Sequence, residues 1–231
     1  MKRAFLILLA AISLAAQSSS EVEITAEPHH KLAFENQWVR VFNVAIAPDT
    51  ATLVHWHRHD YIAVTLGPAR VANHVKDKPA ATAEFAAGDT RFTSGSFAHA
   101  VRDLGPQPYR NVTIELLQDE HLRSAAVHWD EERGLEVLPR GTKQILFVKD
   151  AVRVTEFELQ PGGMVPEHHH NGPHLLVAVS DADLRSDVLG QGAVAERLKA
   201  GDCKWLPANY SHTITNTGAQ SAEFVTVEFP E

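Results

Sequence analysis

The chain has 231 residues, 44% of them hydrophobic, with a formal net charge of −8 and one cysteine. That length and apolar content allow one large domain or two small ones. The acidic balance argues against nucleic acid and anionic membrane surfaces as partners, and a lone Cys203 rules out an intrachain disulfide and is expected to be buried and inert.

The N-terminus reads MKRAFLILLAAISLAAQSSS. Lys2 and Arg3 precede an apolar run over residues 4–16, and Gln17 to Ser20 turn polar. The run is short for a membrane span, which needs roughly 20 apolar residues. It reads as a cleavable signal over residues 1–18, with a small-residue cut after Ser18. This predicts a periplasmic or secreted protein, free of the membrane after cleavage. His29 and His30 follow ahead of the first structural unit and are expected on a solvent-exposed tail.

Beyond them the chain repeats itself at a fixed offset of 113. Arg40-Val41 maps onto Arg153-Val154, and Pro48 onto Pro161. His55 and His57 map onto His168 and His170, and Gly88-Asp89 onto Gly201-Asp202. His99, Gly105 and Glu115 map onto His212, Gly218 and Glu228. No insertion intervenes, so the chain is a tandem duplication with repeat units near 34–118 and 147–231.

Each unit reads as β. In NVTIELL, Val112, Ile114 and Leu116 alternate with Asn111, Thr113 and Glu115; in EFVTVEF, Val225, Val227 and Phe229 alternate with Thr226 and Glu228. Period two marks half-buried strands. Turn signals such as Pro161-Gly162-Gly163 and Asn171-Gly172-Pro173 separate them, which points to sandwiches or barrels. The predicted organisation is an N-terminal barrel over 28–120, a linker over 121–146 holding a short helix or strand, and a C-terminal barrel over 147–231.

The segment PGGMVPEHHHNGPH concentrates the histidines. Residues i and i+2 of a strand share a face, so His168 and His170 face together and His169 faces away. His174 shares their parity across a turn, and His212 lies 42 residues beyond His170, where a neighbouring strand can bring it alongside. Neutral imidazoles converging inside a barrel chelate divalent transition metals. The first unit offers His55, His57 and His99, with Tyr61 at the place of His174 and His59 as a possible substitute. Arg40 and Arg153 are expected to pair across strands with Glu115 and Glu228. Apolar Met164, Leu176 and Trp205 either flank a ligand pocket or belong to ordinary core.

PGGMVPEHHHNGPH followed by GDCKWLPANYSH resembles the two motifs of the cupin superfamily. His168, His170 and His212 stand at its histidine-ligand positions, and His174 stands where most cupins have glutamate. Gly201, Pro207 and Asn216 match the second motif, with Asn209 replacing its inner glycine. Pro48, His55, His57, Gly67, Gly88 and His99 repeat the pattern, so the chain resembles a bicupin. The resemblance implies an all-β fold of two tandem small antiparallel jelly-roll barrels, monomeric or homodimeric. It implies a divalent transition metal (Fe, Ni, Cu, Mn or Zn) at His168, His170, His174 and His212, and a second ion at His55, His57 and His99.

Four neutral imidazoles leave a divalent ion its full charge, which favours small anionic or enolisable ligands. The nearest functional analogues are quercetinase-like and β-diketone-dioxygenase-like cupins. They imply a dioxygenase acting on an enol, diketone or phenolic compound. A cupin lyase or isomerase using Tyr61 or Tyr210, and a non-catalytic metal- or anion-binding cupin, are the alternatives.

Overall fold

The computed structural model describes residues 21–124 and 133–230. The signal predicted over residues 1–18 lies outside the described residues. The first half carries β1 (Val22–Glu23), β2 (His30–Glu35), β3 (Val39–Ile46), β4 (His55–His57) and β5 (Tyr61–Thr65). It continues with β6 (Ala69–Val75), β7 (Ala81–Phe85), β8 (Thr90–Thr93), β9 (Phe97–Asp103) and β10 (Tyr109–Leu116), then α1 (Asp119–Ser124). The second half carries β11 (Gly134–Leu138), β12 (Gly141–Lys149), β13 (Val152–Leu159), β14 (Met164–His170) and β15 (His174–Ala178). It closes with β16 (Ala182–Val188), β17 (Gly192–Leu198), β18 (Cys203–Leu206), β19 (Tyr210–Asn216) and β20 (Ala222–Glu228).

The strands form two sheets per half. One first-half sheet runs β2-β3-β10-β5-β8, and the corresponding second-half sheet runs β12-β13-β20-β15-β18 with β11 added at its edge. The other pair runs β4-β9-β6-β7, with β1 at its edge, and β14-β19-β16-β17. Each half is therefore a small antiparallel jelly-roll barrel, and the strand order repeats as the 113-residue offset requires. Left-handed backbone recurs at the same offset: Asp49 and Gly162 have φ of 60° and 73°, and Ser96 and Asn209 have φ of 66° and 58°. Asparagine tolerates that geometry through its short polar side chain, so Asn209 serves where a glycine is usual.

Two expectations need correction. The stretch 121–146 is not a linker alone. Helix α1 docks on the first barrel through the buried Leu122, while β11 and β12 belong to the second barrel. Strand β12 pairs with β13 as β2 pairs with β3, so the repeat reaches further upstream than its sequence matches show. The first barrel likewise starts before residue 28, because β1 lies parallel to β4 with Val22 opposite His55.

The alternating strands are also not half-buried. Every described residue of β10 from Asn111 to Leu116 is buried. Val112, Ile114 and Leu116 pack outward against Val152, Val154, Leu175, Val225 and Val227 of the other barrel, forming one shared core. The polar face, with Thr113 and Glu115, turns into the barrel. Two large sheets thus lie back to back, and the apolar stripe is the seam between barrels. Smaller cores fill each barrel: Phe42, Val44, Ile46 and Val71 in the first, and Phe157, Leu159, Leu176 and Phe224 in the second. Leu176 is barrel core, whereas Trp205 stacks on Phe34 and packs on Phe229 at the seam.

Candidate metal centres

In the second barrel β14 pairs with β19, setting His168 directly opposite His212. A register shift between Val165 and His168 accommodates Pro166, which has no N–H for the ladder. His168 and His170 then share a face. Their Nε2 atoms lie 3.1 Å and 3.3 Å from Nε2 of His212. His169 turns outward, with Nδ1 3.0 Å from Ser211 Oγ.

Each inward ring is held by its outer nitrogen. His168 Nδ1 donates to the Pro166 carbonyl at 2.8 Å, and His170 Nδ1 to Glu228 Oε1 at 3.0 Å. His212 Nδ1 meets Ser186 Oγ at 2.8 Å. A carbonyl and a carboxylate can only accept, so at His168 and His170 the proton sits on Nδ1. The Nε2 atoms are then the nitrogens left to face His212, an arrangement that fits a cation between them. Burial pushes His212 down to about 3 and lowers His168, which keeps these rings neutral at ordinary pH.

Glu228 couples the site to the wall of the barrel. Its second oxygen accepts from Arg153 at 2.6 Å, fulfilling the expected cross-strand pair. Burial alone would raise this carboxyl, but the bonds from His170 and Arg153 prevail and hold it at about 2. The Glu228 carboxylate therefore orients His170 and enriches its Nε2, as outer partners of metal-ligating histidines do. The sequence reading paired Glu228 with Arg153 but missed its contact with His170.

His174 opens β15 in the other sheet, because the turn at Asn171-Gly172-Pro173 carries the chain across the barrel. A Cβ at Gly172 would run into the Phe229 carbonyl, so the corner admits glycine alone. The His174 ring stacks on His170 with centroids 3.9 Å apart, and its Nδ1 is buried without a hydrogen-bond partner. It lies beside the three converging tips rather than nitrogen-to-nitrogen with them. Tyr210 packs parallel to His174, with its hydroxyl buried and unpartnered; burial raises its pKa.

Two cavities flank the three tips. A cavity of about 260 Å³ opens on the His168 and His170 side, with Lys143, Arg153 and Glu167 in its wall. A smaller one of about 80 Å³ lies behind His212 and Tyr210 and is walled largely by Leu184, Val188 and Leu206. Lys143 was not anticipated, although the 113-residue offset carries His30 onto it.

The first barrel repeats the arrangement with His55 opposite His99. Nε2 of His57 lies 3.2 Å from that of His55 and 3.1 Å from that of His99. His55 Nδ1 donates to the Leu53 carbonyl at 2.9 Å, and His99 Nδ1 meets Asn73 Oδ1 at 2.8 Å. Burial pushes His55 to about 4 and His99 to about 3. Tyr61 lies flat on His57 with centroids 4.1 Å apart, and burial lifts it to about 12. His59 points away toward Asp119, so it does not replace Tyr61.

His30 contradicts the expectation of an exposed tail. It sits on β2 with its side chain 6% exposed, and its ring centroid is 4.6 Å from that of His55. His30, His55 and His57 each bring a ring nitrogen within 4.8 Å of the others. Cys203 is held inert: burial pushes its thiol to about 12.

A family model described as a cupin domain matches residues 155–228. No curated protein matches the chain by sequence. Among solved structures, the formate complex of Lactobacillus farciminis oxalate decarboxylase is 17% identical with a TM-score of 0.61, covering 84% of this chain and 78% of that one. Bacillus subtilis oxalate decarboxylase at pH 4.6 is 14% identical with a TM-score of 0.61, covering 84% and 68%. A further structure of the Bacillus subtilis enzyme, concerned with its Mn(II) centers, is 14% identical with a TM-score of 0.61, covering 90% and 76%. At such identities the likeness is one of fold. The second half thus contains a cupin domain, and the first half repeats its strand order, giving the chain the two-barrel fold it shares with these structures.

Proposed function

We propose that the second barrel is the working site of a metal-dependent oxidoreductase that oxidises a small anionic enol, diketone or phenolic compound with dioxygen. The observation that supports this most is a set of three converging imidazole tips, with no carboxylate among them, at the edge of a cavity whose wall carries Lys143 and Arg153. His168, His170 and His212 would hold the ion, with His174 close enough to join after a turn of its ring.

A divalent transition metal bound there supplies a positive centre that orients and polarises oxygen ligands. Lys143, braced by Glu136 at 3.1 Å, draws an anion toward the histidine face of the cavity. Arg153 is turned to Glu228 and serves chiefly to fix His170. Tyr210 keeps its proton at neutral pH because burial raises its pKa, so it acts as a hydrogen-bond donor at Oη and not as a base. Tyr61 lies in the other barrel, flat against His57. Of the two tyrosines, Tyr210 suits the catalytic role. The leader over residues 1–18 goes with export, and we place the working protein outside the cytoplasm.

A second reading is cleavage of a small carboxylate, favoured by Lys143 on the cavity wall and by the fold shared with oxalate decarboxylases. The experiment is reconstitution with Fe(II), Ni(II), Cu(II) or Mn(II), followed by oxygen uptake against diketones and flavonols and by carbon dioxide release from oxalate. Uptake that His212→Ala abolishes and His169→Ala spares supports the oxidoreductase. Carbon dioxide release without net uptake favours the carboxylate reading. Tight metal binding with neither activity overturns both and leaves a binding protein.

A further inference from the structure

The histidine at position 30 lies outside both repeated motifs, yet its ring is directed into the first-barrel cluster. We propose that His30, His55, His57 and His99 form a closed four-histidine site for a structural divalent cation, with Glu27 as the positioning residue. The second barrel alone keeps an open site.

The geometry is built from two sides. Strand pairing of β4 with β9 brings His55, His57 and His99 together, with Nε2 separations of 3.1 and 3.2 Å. A tetrahedral ion with metal–nitrogen bonds of about 2.0–2.1 Å sets its ligands roughly 3.3 Å apart. The His57–His55 and His57–His99 pairs already match this, while His30, grouped with His55 and His57 within 4.8 Å, has to close on His99 when the ion binds. The segment from β1 to β2 supplies the fourth ring. His30 Nδ1 lies 2.7 Å from Glu27 Oε2, which commits Nδ1 as the donor and leaves Nε2 for the cluster.

Glu27 is an unusual residue to find where it is. Its side chain is 0% exposed, and a buried carboxylate is stable only when its oxygens are fully bonded. Both oxygens are engaged: they take His30 Nδ1, His29 Nδ1 at 2.9 Å, the His29 amide at 2.8 Å and the Leu53 amide at 3.2 Å. Leu53 in turn offers its carbonyl to His55 Nδ1. Glu27 thus braces two of the four rings, one directly and one through Leu53. Carboxylate and carbonyl partners of this kind are how proteins fix metal-ligating imidazoles.

With Nδ1 of His30, His55 and His99 turned to acceptors, the opposite nitrogens of these rings and His57 are left for one another or for a cation in a buried space. Four imidazoles complete the tetrahedron and leave no position for substrate, the signature of a structural site. In the second barrel Lys143 replaces His30, and an ammonium cannot ligate. That barrel is left with a cavity where the first has a fourth ligand.

The inference is independent of the activity assigned to the second barrel. It is tested in the full chain carrying His168→Ala and His212→Ala, which removes the second site, loaded with Co(II) or Zn(II). One ion per chain is expected, with the intense visible bands of four-coordinate Co(II) and a rise in Tm on loading. Adding His30→Gln should weaken Co(II) binding at least about tenfold, since even outer partners of ligands are worth 10–100-fold, and should change the spectrum. His29→Ala, which removes a ring bound to the same carboxylate, should keep both ion and spectrum. No ion in the double variant, or a six-coordinate spectrum that His30→Gln leaves unaltered, overturns the proposal. If His30→Gln fails to fold, X-ray absorption on the double variant decides by itself, four imidazoles supporting the proposal and any other ligand set overturning it.

Discussion

Lys143 occupies in the second barrel the place that His30 occupies in the first. His30 pairs opposite Val44 and Lys143 opposite Phe157, both members shifted by the same 113 residues. A duplicated fold has thus placed an imidazole at one site and an ammonium at the other. The two barrels share a scaffold and differ in what they can hold.

Replacing Lys143 with Met should therefore act on anions and not on metal. The side chain keeps its length and loses its charge. Isothermal titration of the metal-loaded protein with oxalate or an enolised diketone should show binding weakened by up to about tenfold, equivalent to about 1.4 kcal/mol. Metal content should stay unchanged. Loss of the metal would mean that Lys143 is structural.

Glu228→Gln should strike both metal and fold, because one carboxylate serves His170 and Arg153. The amide keeps the shape but not the charge. Second-site metal affinity should fall about 10–100-fold. Breaking a buried pair from one side costs up to about 3–5 kcal/mol, and Arg153, 23% exposed, places this one toward the low end. Competition with a chelator measures the first effect and urea unfolding the second.

Acid should destabilise the metal-free protein early. Burial holds His55 near 4 and His99, His174 and His212 near 3 in the folded state, against an ordinary histidine value of 6.5. Below about pH 6.5 the unfolded chain takes up protons that the folded one refuses, so stability falls as pH falls toward 3–4. Glu27 and Glu228, held near 2 against 4.5, add a second loss that begins only below about 4.5. Calorimetry on chelated protein should show a level Tm above pH 7 and a steady decline from about 6.5. A Tm unchanged down to pH 5 would contradict these burial effects.

The seam between barrels should behave as a core. Ile114 is 0% exposed and packs in the cluster that contains Val152, Leu175 and Val227 of the other half. Ile114→Ala should cost about 2–5 kcal/mol. Both barrels should still unfold in one transition, because neither can expose its large sheet alone. Two resolved transitions in the wild-type chain would show that the seam is weaker than its burial implies.

Much of this was legible in the sequence because it depends on local order and repetition. Strand parity alone separates His168 and His170 from His169, since alternate residues of a strand face opposite ways. The constant offset carries that reading into the first half and pairs Arg153 with Glu228 and Arg40 with Glu115. What parity cannot supply is the identity of the face: the pattern of β10 reads as a half-buried strand, but its apolar stripe is the seam between barrels and its polar face is buried too. Nor can it see side chains that meet only after folding. His30 comes from a segment before the motifs, Lys143 from a stretch that reads as a linker, and Glu228 reaches His170 from 58 residues away. These contacts follow from closure of the sheets into barrels, which brings distant strands within hydrogen-bonding range and so decides which donors surround each centre.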